Sequence, residues 1–232
     1  MRYLIAVLCL IGAVAGCSHT PPDYVSRYTT PISPEPQAPA ALAIIGDSYT
    51  GGSATGGKEL MGWPALVADR LDQQGIPIDP AVGFEAGSGY VQPGEDGHVF
   101  ADQIPNVVGS TDQLVVLFGS RNDAAVPANQ LTAAVRRTLA DVRTAAPAAK
   151  ILVIGPAWMN TAPPPGIQQV RNVLKTEASA SGATFVDPIA DGWFVGQSIL
   201  ISSYSKDPTD AGHSYLADEI TPLIAKQLQP TP

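Results

Sequence analysis

Basic residues are scarce in this chain. Thirteen Lys+Arg stand against 21 Asp+Glu in 232 residues, for a net charge of −8. Nucleic acids and anionic surfaces are held by clustered cations, so this balance excludes them as the main partner. Histidine is scarcer still: His19, His98 and His213 are the only three, and their separation leaves no histidine-based metal site of usual spacing. The two cysteines, Cys9 and Cys17, cannot make a disulfide framework. Long apolar runs are absent too. The N-terminal run, Tyr3 to Ala15, is too short to span a bilayer as a permanent helix, and there are no internal repeats.

What is present at the N-terminus reads as an export signal over residues 1–16, with Arg2 as its positive region and small residues before the cut. Val14-Ala15-Gly16-Cys17 resembles the bacterial lipobox. That resemblance implies a diacylglyceryl group on Cys17 and anchoring to the cell membrane; secretion without lipid is the alternative. Removal of the signal also removes Cys9, leaving Cys17 without a disulfide partner, and lipidation accounts for an unpaired thiol in an exported protein. Residues 17–40 form a tether. Its Ser18–Ala40 portion holds six prolines in 23 residues and no apolar period, a composition that cannot fold alone. As polyproline II it reaches roughly 70 Å.

From residue 41 to 230 the pattern alternates strands and helices. Ala41-Leu42-Ala43-Ile44-Ile45 is an unbroken apolar run, as expected of a buried parallel strand. Further strands are expected within Ile76–Phe84, at Gln113–Phe118, at Ile151–Ile154 and at Thr184–Val186. Helices are expected near Trp63–Gln74, within Ala101–Val108, and over Pro127–Ala145, Ile167–Ser181 and Ala211–Leu228, with Thr50–Gly62 a glycine-rich loop. Such alternation makes right-handed βαβ units and hence an α/β fold with a parallel five-stranded sheet covered on both faces.

Three short motifs fall at the carboxyl ends of these strands, where open α/β sheets bind ligands. Gly46-Asp47-Ser48 follows the first, Gly87-Ser88-Gly89 follows the second, and Gly119-Ser120-Arg121-Asn122-Asp123 ends the third. Each alone is an ordinary turn sequence. Together they offer a serine nucleophile, closely approaching backbone N–H groups and an amide able to donate to an oxyanion.

These residues resemble the GDSL or SGNH hydrolases. Ser48, Gly87, Asn122 and Asp210-Ala-Gly-His213 match that family's blocks, over nearly the whole folded part. The resemblance implies a flavodoxin-like three-layer sandwich, an oxyanion hole shared by Ser48, Gly87 and Asn122, and ester hydrolysis through an acyl-enzyme without metal or other cofactor. It also implies catalysis by Ser48 with His213 as base and Asp210 as its orienter, Asp207 being the alternative orienter or, in the family's literal register, a weak base itself. Two departures stand out. Two residues rather than one separate Gly119 from Asn122. Aligning Pro208 and Gly212-His213 on the family's Asp-x-x-His-Pro…Gly-His pattern puts Asp207 where the catalytic histidine belongs, Tyr204 where its aspartate belongs, and makes His213 a helix residue. Thr209 or Asp210 looks like the cap of that closing helix.

Other features compete for attention. Gly52–Glu59 mimics a phosphate-binding loop but ends in Glu where Ser or Thr should hold Mg²⁺. His98 reads as a loop residue. Tyr49, Tyr90, Trp158, Trp193 and Tyr204 either wall a substrate pocket or simply pack over loops. The expected protein is a monomeric serine esterase of a small-molecule, glycan or lipid ester. A non-catalytic binding lipoprotein and an acyltransferase on the same fold are the alternatives.

Overall fold

The computed structural model describes residues 38–229; the export signal, Cys17 and most of the tether lie outside the described residues. Five strands, β1 (Ala40–Gly46), β2 (Ile78–Phe84), β3 (Leu114–Phe118), β4 (Lys150–Ile154) and β5 (Thr184–Val186), form one sheet. All pairs are parallel, in the order β2-β1-β3-β4-β5. This is the flavodoxin-like order, in which the chain reverses direction across the sheet beside β1 and opens a crevice at the strand ends.

The described residues hold six α-helices, α1 (Ser48–Gly51), α2 (Trp63–Gln73), α3 (Phe100–Val107), α4 (Ala128–Ala145), α5 (Pro165–Ala180) and α6 (Asp210–Leu228), and α2 to α6 cover the sheet. The side-chain period of two splits β1 between two cores. Leu42 and Ile44 pack with Trp63, Leu71, Leu216 and Ile220 of α2 and α6. Ala43 and Ile45 pack with Phe100, Leu131, Val135, Val170 and Leu174 of α3, α4 and α5. With both faces buried, the strand has no polar side, which is why its sequence is continuously apolar.

The expected strands and helices are all present, with ends shifted by one or two residues. The stretch expected as loop over Thr50–Gly62 is more ordered: α1 occupies Ser48–Gly51 and a 3-10 turn spans Glu59–Met61. Thr209 is the cap of α6, its hydroxyl accepting from Gly212 N–H at 3.2 Å.

Candidate active site

β1 ends at Gly46, where only glycine fits: a Cβ there would meet Thr50 and the Phe118 carbonyl. The chain turns at once into α1, with Asp47 as its cap accepting Tyr49 N–H at 2.9 Å. Ser48 is thereby the first residue of a helix on the crevice at the sheet's edge. Backbone N–H groups at a helix start have no partner inside the helix, and neither Ser48 N–H nor Gly87 N–H donates to another described residue. Gly87 has φ +76°, a left-handed conformation that glycine adopts without cost.

The block after β3 holds the Gly87 loop in place. The fully buried Asp123 carboxylate accepts from the N–H groups of Tyr90, Val91 and Gln92 at 2.8, 3.0 and 2.9 Å. Ser120 Oγ donates to the Ser88 carbonyl and accepts Asn122 N–H. From the other side the buried Glu85 carboxylate accepts the N–H groups of Asp96 and His98 and meets the His98 ring at 2.8 Å. Asn122 ties the parts together: its Nδ2 donates to Asp47 Oδ2 at 2.9 Å and to the Ser88 carbonyl at 2.7 Å. Burial pushes the Asp47 carboxyl up to about 6, against the downward pull of Tyr49 N–H and the Arg121 charge.

Ser48 Oγ donates to Asp207 Oδ1 at 2.9 Å. Asp207 arrives on the segment between the 3-10 turn at Ser198–Leu200 and α6. Its backbone is pinned by Ser202 N–H donating to its carbonyl, and the preceding Lys206 has φ +64° with its carbonyl accepting Tyr49 Oη at 2.9 Å. Arg121 Nη2 lies 3.6 Å from Asp207 Oδ1, and the guanidinium carbon sits 4.3 Å above the Tyr49 ring. Ser48, Gly87, Arg121, Asn122, Tyr204 and Asp207 share one cleft of about 640 Å³.

Ser48, Gly87 and Asn122 are therefore brought together as expected, while the expected His213–Asp210 pair is not placed on Ser48. His213 is fully buried in the first turn of α6. Its Nδ1 accepts Trp63 N–H at 3.3 Å, and its Nε2 is enclosed without a partner, against Gly57. Burial drives its pKa down to about 4 although Asp210 and Asp207 pull it up, so the ring is neutral at pH 7. Asp210 Oδ1 accepts Gly57 N–H at 2.8 Å. Both residues fasten the Gly52–Gly57 loop to α6, so that stretch is a docked turn. Pro208 was the signal for Asp207, since it follows the position where the family has its histidine. Arg121 carried no sequence signal beyond the extra residue after Gly119.

The aromatic residues divide. Tyr204 is 95% exposed on the cleft, whereas Tyr49, Tyr90 and Trp193 are buried. Tyr49 packs edge-on to Phe118 and Phe194.

A family model for GDSL-like lipases and acylhydrolases matches residues 44–215. The chain is 41% identical over 229 residues to a GDSL lipase of Mycobacterium tuberculosis, covering 97% of this chain and 96% of that one. Among solved structures, TesA superposes with a TM-score of 0.68 at 19% identity, covering 81% of this chain and 99% of TesA. A family two carbohydrate esterase from Clostridium thermocellum, in complex with cellohexaose, superposes with a TM-score of 0.65 at 19% identity over 83% of this chain and 66% of that one. At these identities the two structures establish likeness of fold.

Proposed function

The chain belongs to the GDSL-like lipase/acylhydrolase family, a family of hydrolases, and from that premise we propose that it cleaves carboxylic esters through an acyl-enzyme on Ser48. One observation carries the reading: the 2.9 Å hydrogen bond from Ser48 Oγ to Asp207 Oδ1 at the floor of the cleft. A serine hydroxyl becomes a useful nucleophile when a base stands ready for its proton. As Oγ attacks the ester carbonyl, its proton passes to Asp207. The carbonyl oxygen becomes an oxyanion facing the N–H groups of Ser48 and Gly87, and it competes with the Ser88 carbonyl for an Asn122 amide hydrogen. Collapse breaks the bond to the alcohol, which leaves with the proton from Asp207. Water, deprotonated by the same carboxylate, then releases the acid and regenerates Ser48.

Esters of a glycan or a lipid both suit this chemistry. The relatives include a lipase by name and a carbohydrate esterase. Export and anchoring through Cys17 belong to the same proposal, so the substrate is sought outside the cytoplasm.

A second reading, a binding lipoprotein that has kept the fold and lost turnover, is favoured by Asp207 itself. A carboxylate is ordinarily a weaker base than imidazole, and the family pattern has histidine there. Hydrolysis of p-nitrophenyl acetate and butyrate and of acetylated xylan by the purified protein decides between them. Turnover that disappears in Ser48→Ala and falls at least about 100-fold in Asp207→Asn is the expected result. An inactive wild type, or an Asp207→Asn variant as active as wild type, overturns the assignment.

A further inference from the structure

We propose that Arg121 is a positioning residue of this site, holding the Asp207 carboxylate on Ser48 and supplying the fixed positive charge that an imidazolium would otherwise provide; this deepens the reading above and rests on Asp207 being the base.

When histidine takes a serine's proton it becomes a cation beside the new oxyanion. When a carboxylate takes the proton it becomes neutral, and the negative charge moves from the carboxyl to the substrate oxygen. No cation is created by the step, so a cation already in place adds to what the N–H groups of Ser48 and Gly87 and the Asn122 amide supply for the displaced charge. Arg121 is that cation. Its side chain and that of Asp207 are 17% and 15% exposed, so their attraction is less screened than between surface groups. Both lie on the cleft that holds Ser48.

Its geometry is fixed from two directions. The guanidinium lies over the Tyr49 ring at 4.3 Å, a cation–π stack that a flat guanidinium makes well. Tyr49 in turn donates from Oη to the Lys206 carbonyl, one residue before Asp207. Arg121 thus reaches Asp207 twice: directly at 3.6 Å and through Tyr49 on the backbone that carries it. Chain position explains why the arginine can do so. It directly precedes Asn122, in the two-residue stretch Ser120-Arg121 that separates Gly119 from Asn122, so the same loop that delivers the amide also delivers a cation beside Asp207. Arg121 Nε is buried without a partner among the described residues. An arginine with a desolvated donor left over is costly for stability alone, which fits a group retained for what it does in the cleft.

Through the step the arginine stays protonated: the proton leaves Ser48 Oγ for Asp207, the Oγ–carbon bond forms, and the carbonyl π pair becomes the oxyanion. In the resting state Arg121 orients Asp207; after proton transfer it faces a site carrying the same total charge.

Chemical rescue tests this. The reactivity of Ser48 toward a fluorophosphonate probe, read by mass spectrometry, is measured beside kcat and KM for p-nitrophenyl acetate in wild type, Arg121→Ala, Arg121→Lys and Asp207→Asn. Thermal melts accompany each variant. Arg121→Ala is expected to lower labelling and kcat by about 10-fold or more, with KM much less changed. Millimolar guanidinium chloride should restore a large part of both in Arg121→Ala and leave wild type unaffected. Arg121→Lys should recover less, because an ammonium cannot stack on Tyr49 and face Asp207 in the same way. Wild-type rates in Arg121→Ala, or a loss that guanidinium does not relieve in a variant that melts normally, overturns the inference. If Arg121→Ala does not fold, Arg121→Lys carries the test, and an undiminished rate there overturns it. Should Asp207→Asn label and turn over like wild type, the base assignment falls and this inference with it; a dead Asp207→Asn beside a fully active Arg121→Ala removes Arg121 alone.

Discussion

Asp47 shows how one buried carboxyl can govern a neighbour it never shares a reaction with. Its Oδ2 holds one hydrogen of the Asn122 amide at 2.9 Å, so its protonation state sets where that amide points. Burial pushes it up to about 6, with Tyr49 N–H and Arg121 pulling down and Asp207 and Asp123 pushing up. As pH falls through 6 the carboxyl takes a proton and its hold on Asn122 weakens. The expected outcome is a fall in kcat/KM for p-nitrophenyl acetate with a midpoint near 6. In Asp47→Asn the rate should be low throughout, because the single amide oxygen can accept from Tyr49 N–H or from Asn122 Nδ2 but not from both, and that midpoint should vanish. An unchanged profile in Asp47→Asn would refute the assignment. The residues of this site differ in how far the sequence reveals them. Ser48, Gly87 and Asn122 each sit in a turn motif at a strand end, so local spacing alone finds them. Asp207 needs a second, longer register through Pro208. Arg121 meets its partner only because β3 and the segment before α6 converge in space, and no local pattern encodes that.

At the scale of elements, strands and helices were legible because their patterns are local: an unbroken apolar run in β1, and a stripe of Leu131, Val135, Leu139 and Val142 in α4. What the sequence obscured was the role of the start of α6. Asp210-x-x-His213 satisfies a catalytic spacing, but both side chains point into the Gly57 turn and the Trp63 backbone instead. Gly57 has φ +78°, and a Cβ there would fall on the His213 ring. Gly57→Ala is therefore expected to cost about 2–4 kcal/mol, measured by urea denaturation. Part of that loss should disappear in a His213→Ala background, where the clash is gone and only backbone strain remains; equal costs in both backgrounds would contradict this packing. The same histidine bears on acid stability. A folded-state pKa near 4 against the usual 6.5 favours the folded state above pH 6.5, and that contribution is lost as pH falls through 4. Asp47 acts in the opposite sense. Its folded value near 6 against 3.8 favours the folded state below about 4, by about 3 kcal/mol, and this is lost as pH rises through 6. The two nearly offset each other in the wild type. His213→Phe should remove one side, so that its stability relative to wild type climbs as the buffer is taken from pH 7 to 4.5. A constant difference between the two proteins would show that His213 does not titrate as described.

The whole molecule sets direction and reach. The chain enters the domain at Ala40, the start of β1, while Ser48 stands beyond the opposite end of the same strand. The cleft therefore lies at the strand end opposite Ala40. A domain of this size has a radius of gyration near 16 Å, whereas 23 residues would reach roughly 70 Å if they took up polyproline II. An anchored domain on such a leash can turn its cleft toward the membrane or away from it. Net charge decides what would hold it there otherwise: at −8 the protein is repelled by anionic lipid, so the proposed acyl chains on Cys17 are the only membrane attraction this reading supplies. Cys17→Ala is accordingly expected to move the protein from the membrane fraction to the aqueous one, with hydrolysis of soluble p-nitrophenyl acetate per molecule unchanged. Mass spectrometry of the wild-type mature N-terminus should find a lipid-modified Cys17. Deleting residues 20–36 in the anchored protein separates reach from chemistry. Turnover of the soluble ester should be untouched, while turnover of an ester embedded in the same vesicles should fall, because a shorter leash gives the domain less reach along the membrane surface. Equal turnover of both esters after the deletion would show that the tether's length has no bearing on what the site can reach.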